Sequence, residues 1–132
     1  MLLKQIKDWF KLNYDSTIFQ QVSIGEIDNN LEKALCFYNS KREIAYINRC
    51  DVSTYSIKPL TILMRFGKKE TDAETIINTL YNFFDKKIST IDNRKIRFSL
   101  AIENPINLGR DDKGIIEYSL EVDCYYEKEE KR

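Results

Sequence analysis

The sequence predicts an α+β fold: a single antiparallel or mixed sheet with two helices packed on one face. Three observations lead there. Two segments place apolar residues at helical spacing, one at the start of the chain and one in its middle. Several others alternate apolar and polar residues with the period of a half-buried strand. These strand-like segments come in runs, without the strict βαβ alternation of a doubly wound parallel sheet. With 132 residues the chain suits one domain, 1–132, with a real core.

The first helix is expected over residues 2–12. Leu2, Leu3, Ile6, Trp9 and Phe10 form its apolar stripe, with Lys4, Lys7, Asp8 and Lys11 off it. "NYDS" breaks the pattern with turn residues. "TIFQQVSIGEID" is expected as a strand, "EKALCFYN" as a short buried strand and "REIAYIN" as its hairpin partner.

"TYSIKPLTILMRFG" is extended. Tyr55 and Ile57 share one parity, and Leu60, Ile62, Met64 and Phe66 the other. Pro59 stands where the parity changes, so a bulge or an edge position is expected there. The second helix is expected over 72–86. Thr71 and Glu74 match a capping box, and Ala73, Ile76, Ile77, Leu80, Phe83 and Phe84 form a wide apolar stripe. Asp72 and Glu74 sit at its positive end, Lys86 and Lys87 at its negative end.

"KISTIDNRKIRFSLAIEN" predicts a hairpin turning at Asp92 and Asn93, both tolerant of positive φ. A final strand is expected over about 115–127. Ile116, Tyr118, Leu120, Val122, Cys124 and Tyr126 share one face, Glu117, Ser119, Glu121, Asp123, Tyr125 and Glu127 the other. The tail from about 127 to 132 is charged.

Composition narrows the chemistry. Lys+Arg and Asp+Glu both number 21, so no bulk field draws in nucleic acid, and sequence-specific nucleic-acid binding is not expected. The aromatics (7 Phe, 8 Tyr and 1 Trp), with plentiful Ile, Leu and Val, mark a packed protein. No apolar run approaches the roughly 20 residues of a membrane-spanning helix, so no membrane partner is expected. "MLLKQIKDWFKLN" lacks the form of a signal peptide, and a cytoplasmic, reducing setting is expected. Three widely spaced cysteines, Cys36, Cys50 and Cys124, imply no disulfide framework. The chain has no histidine, which removes Ser-His and Cys-His nucleophiles and His-containing zinc sites.

Four places remain as candidates. In "LGRDDKG", Asp111 and Asp112 beside Arg110 are open to two readings, a divalent-metal pair or a polar loop. Arg65, Lys68 and Lys69 in "RFGKKE" precede a helix N-terminus, where a phosphate can bind, against the plainer reading of a solvated loop. Cys50 beside Arg49 is either a reactive thiol or an ordinary loop cysteine, and Cys36 and Cys124 fit as small core residues. Tyr125 is expected to face outward, where it can anchor a partner. No nucleotide-binding glycine motif occurs. No cofactor and no catalytic residue is assigned.

Four stretches carry a family resemblance: "DWFKLN" ending the first helix, "IGEIDNNLEKALCFYN", "YSIKPLTILMRFGKKETDAE" and "PINLGRDDKGIIEYSLEVDCYYE". Together they are similar to phage minor capsid proteins of tail-completion type, akin to tail terminators. The last stretch is the most specific, with its proline, LGRDDKG loop, EY pair and aromatic-rich strand. The chain departs from the pattern in a less glycine-rich "NRCDVSTY" loop and a longer charged tail. The resemblance implies a non-enzymatic virion protein in the tail or neck, assembled in the host cytoplasm. It implies a ring of copies, expected as hexameric, at the head–tail junction, with the tail tube and head-completion proteins as partners. Arg49, Lys68, Arg110, Asp111, Asp112 and Tyr125 are then the expected contact residues. On this reading "GRDDKG" is needed for assembly and dispensable for folding. Two readings from other classes stay open: a metal-dependent phosphate- or nucleotide-handling enzyme using Asp111 and Asp112, and a small regulatory nucleic-acid-binding domain.

Overall fold

The computed structural model describes residues 1–42 and 55–128. The expected hairpin strand "REIAYIN", with Arg49 and Cys50, lies outside the described residues apart from its first arginine, Arg42. So do residues 129–132 of the charged tail.

Helix α1 runs Leu3–Asn13 and α2 Glu70–Phe84. The strands are β1 Gln21–Ile24, β2 Lys33–Asn39, β3 Tyr55–Phe66, β4 Ile88–Ile91, β5 Arg94–Leu100, β6 Ile106–Arg110 and β7 Ile116–Glu127. They form one mixed sheet in the order β1-β2-β3-β7-β5-β4, with β6 paired to β7 alongside. The β1–β2 pair is parallel and the other pairs are antiparallel. The α+β expectation holds.

Both helices bury their stripes on one face of this sheet. From α1, Ile6, Trp9 and Phe10 are buried; from α2, Ala73, Ile77, Leu80 and Phe84. Phe10 stacks on Phe84 with centroids 5.8 Å apart and meets Phe37 of β2 edge-on at 5.3 Å. Trp9 lies 5.0 Å from Phe98 of β5 and donates its indole N–H to Ser89 Oγ at 2.9 Å. Offset and edge-on rings of this kind add to the area they bury. Leu2 stays largely exposed, so the stripe of α1 begins at Leu3.

The final strand keeps its predicted parity. Ile116, Tyr118, Leu120, Val122 and Cys124 enter the core, and Tyr126 packs against it. The predicted hairpin turns at Asp92 and Asn93, with φ of 50° and 64°. Two successive positive φ values match the right-handed twist of the flanking strands.

Four expectations are corrected. The first strand is short, because Asp15 accepts from Thr17 N and Oγ and winds residues 16–18 into a 3-10 turn. Gly25, at φ 74°, then ends β1. Helix α2 starts earlier, at Glu70, with Lys69 as its N-cap and no side-chain cap, so the Thr71 capping box does not form. Pro59 causes no bulge: β3 pairs with β7 without a shift from Tyr55↔Glu127 to Arg65↔Glu117. The Pro59 carbonyl accepts from Ser40 N, so its missing N–H faces past the end of β2 and leaves the β7 ladder intact. Residues 106–110, expected as loop, form β6. A register shift between Asn107 and Gly109 hides its alternation.

The β1–β2 connection is unusually short. Parallel neighbours usually need a crossover of about a dozen residues or more. Here only residues 25–32 make it. On the outer face of β2, Ala34 and Cys36 are fully buried although neither joins the helix-side core. Cys36 is thus a small packing residue, on the opposite face from Cys124.

Candidate assembly surface

The "GRDDKG" segment begins as the end of β6 and turns into β7. Gly109 and Gly114 take φ of 88° and 83°, the left-handed angles that other residues adopt only with strain. The two aspartates between them part company. Asp111 turns inward: its Oδ2 lies 2.6 Å from Arg65 Nη2, and its Oδ1 accepts from Lys113 N and Ile115 N at 2.9 Å each. The Arg65 guanidinium, followed by the Ile115 amide, holds the Asp111 carboxyl below the usual carboxylate range. Asp112 is exposed. Arg110 donates to the carbonyls of Lys68 and Gly114 at 2.9 and 3.0 Å, which binds the loop to the β3–α2 turn.

Arg65 is the hub of this corner. It is 1% exposed. Its Nη1 meets Glu117 Oε2 at 3.1 Å, Nε the Leu31 carbonyl at 3.1 Å and Nη2 the Asn29 carbonyl at 3.1 Å. One guanidinium thus joins β3, β7, the β6–β7 loop and the β1–β2 crossover. The planar fork with five donors is the group suited to that task. Arg65 therefore does not join Lys68 and Lys69 as a phosphate site. The loop it grips is not an independent surface feature either. Asp111 and Arg110 are bound into the fold, against the expectation that "GRDDKG" is dispensable for folding.

A second arginine plays a similar part further along. Arg42 Nη2 lies 3.0 Å from Asp123 Oδ1, and Arg42 Nε lies 3.4 Å from Glu121 Oε1. Thr61 Oγ1 donates to Glu121 Oε2 at 2.6 Å. The outward row of β7 is therefore not simply solvated: Glu117, Glu121 and Asp123 are each matched to an arginine. Sequence reasoning named Arg65 only as part of a phosphate site and did not single out Arg42. The signal for Arg65 was present, since its parity opposes Leu60, Ile62, Met64 and Phe66 and places it on the carboxylate side of the sheet.

Tyr125 does face away from the helices. It is half-buried, because Arg97 of β5 lies over its ring at 4.7 Å. Lys68 is exposed. Cys124 is inert where it lies, since burial pushes its thiol up to about 12. Among the described residues, no group of three or more Cys, Asp or Glu is placed to hold a metal ion, and no helix is long and apolar enough to cross a membrane.

A family model described as "Bacteriophage tail terminator protein" matches residues 8–128. The chain belongs to the bacteriophage tail terminator family. The match takes in every described strand, all of α2 and the second half of α1. No curated protein matches. Family membership gives this terminator-family chain a structural role in the phage tail, among other virion proteins. It also fits the resemblance carried by the LGRDDKG loop and the aromatic-rich final strand.

Proposed function

We propose that the chain is a non-catalytic subunit of a ring that terminates the tail at the head–tail junction. The family match across residues 8–128 carries this reading. The ring is hexameric, forms from copies of one domain in the host cytoplasm, and remains in the neck of the virion. Its neighbours are the tail tube and the head-completion proteins. A closed ring needs two different surfaces that match each other, a heterologous contact that closes by rotation. Lys68, Asp112 and Tyr125 supply such contacts. Arg110 contributes through the face not occupied by its two carbonyl bonds, and Arg49, outside the described residues, is kept as a contact. Asp111 acts indirectly, by shaping the loop that presents Asp112. A weak contact between free subunits becomes strong once the tube end gathers several copies, through effective concentration.

The test mixes purified protein with tail tubes and images the ends by electron microscopy. A closed ring at one end, absent without the protein, is the expected result. Bare tube ends at saturating protein would overturn the reading.

A further inference from the structure

The sheet face away from the helices carries an open groove of about 350 Å³, lined by Tyr55, Ile88, Lys95, Ile96, Arg97 and Tyr125. Strand register explains it. Ile57 pairs with Tyr125, Tyr125 with Arg97, and Arg97 with Ile88, so one row crosses β3, β7, β5 and β4. The row is apolar and aromatic, with a cation in its middle. Ile88 is 73% exposed and Tyr55 42%. Arg97 and Lys95 are exposed, and the nearby acid Glu127 is turned to the Lys95 amide at 2.6 Å. The groove is thus apolar and basic. Tyrosine and arginine side by side are typical of the centre of a protein interface.

Its match lies on the same chain. At the far edge of the sheet, β1 and the crossover expose Ile24, Glu26 and Asp28, an apolar residue with two acids. Asp111, Glu117, Glu121 and Asp123 are already held by Arg65 and Arg42. Among the described residues, no arginine or lysine pairs with Glu26 or Asp28, and Asp28 Oδ1 accepts only from Asn30 N at 2.9 Å. The acidic start of α2, Glu70 to Glu74, lies near Tyr118 of β7, in the same half of the strand order as the groove. A ring needs its two contact surfaces on different sides of the subunit. Strands β1 and β4 end the strand order, roughly 24 Å apart at the usual strand spacing.

We propose that the groove of one copy receives the Ile24–Asp28 segment of the next, head to tail, Arg97 and Lys95 facing Glu26 and Asp28. This rests on the ring-forming reading and adds which surfaces meet. Complementary charge sets register and suppresses wrong pairings, while the apolar row is covered.

The experiment uses charge reversal on tail tubes, with electron microscopy of the ends and a denaturation midpoint for each variant. Arg97→Glu alone and Glu26→Lys with Asp28→Lys alone are each expected to fold and to leave tube ends bare. Mixing the two variants is expected to restore the ring, because the carboxylate placed in the groove of one meets the lysines placed in the segment of the other. Should Arg97→Glu fail to fold, Ile88→Glu at the open rim is expected to abolish the ring in its place. Rings formed by wild type and by folded single variants alike would overturn this interface and leave the ring-forming reading standing. So would rescue of Arg97→Glu by Glu70→Lys with Glu74→Lys, or bare ends in the mixture. Bare ends with wild type would overturn the ring-forming reading, and this proposal with it.

Discussion

Arg65 Nη2 and Asp111 Oδ2 stand 2.6 Å apart, joining the middle of the sheet to the loop that opens the strand β7. The pair is asymmetric: the arginine is buried, while its acid keeps some contact with water. Removing the arginine therefore does the greater harm. It strands Asp111, Glu117 and the carbonyls of Asn29 and Leu31 at once. Arg65→Met is expected to lower stability by about 3 kcal/mol, as for the loss of one partner from a buried pair. Chemical denaturation measures it, and an unchanged midpoint would show that the hub carries no stability.

The same pair makes stability depend on pH. The folded-state pKa of Asp111 is depressed, so the unfolded chain takes up its proton more readily. The stabilisation is present above the ordinary carboxylate range and is lost as pH falls through the folded value. Asp111→Asn is expected to be less stable than wild type at neutral pH, with the gap closing in acid. Denaturation midpoints over a pH series check it, and a gap constant with pH would refute the assignment.

Leu80 is fully buried in the stripe of α2. Leu80→Ala is expected to cost about 2–5 kcal/mol, through lost transfer energy and the cavity left behind. A midpoint equal to wild type would place the residue outside the core.

Lys68 and Asp112 are exposed beside the hub without belonging to it. Lys68→Ala with Asp112→Ala is expected to shift stability by no more than about 0.5 kcal/mol, the usual range for surface positions. Tail completion in infected cells is expected to fail. Normal virion yield from this stable variant would remove the two residues from the assembly contact.

The legible parts of the fold were those set by local pattern. The parity of residues 116–126 and the turn at Asp92 and Asn93 come from side-chain alternation and from φ tolerance, which each residue carries itself. The stripe of α2 was legible for the same reason, whereas its start was not: Thr71 and Glu74 match a capping box, yet the helix begins at Glu70 behind Lys69 with no side-chain cap. Strand β6 was hidden by its bulge, and the β1–β2 crossover by its shortness. At the candidate site, the adjacency of Asp111 and Asp112 suggested a pair. Only three-dimensional register shows that one faces Arg65, forty-six residues away, and the other faces water. Cross-strand partners such as Arg97 and Tyr125 depend on which strands neighbour one another, and no local pattern encodes that.

Strand β7 joins β3 along one edge and β5 and β6 along the other, yet it comes after all of them in sequence. During synthesis those three strands emerge before the one that unites them. Until residues 116–127 leave the ribosome, β3 and β5 lack their central partner, and the two helices have no complete sheet to cover. Folding of the sheet thus waits on translation of its late strand, and a chain interrupted before Ile116 carries open strand edges in place of a subunit.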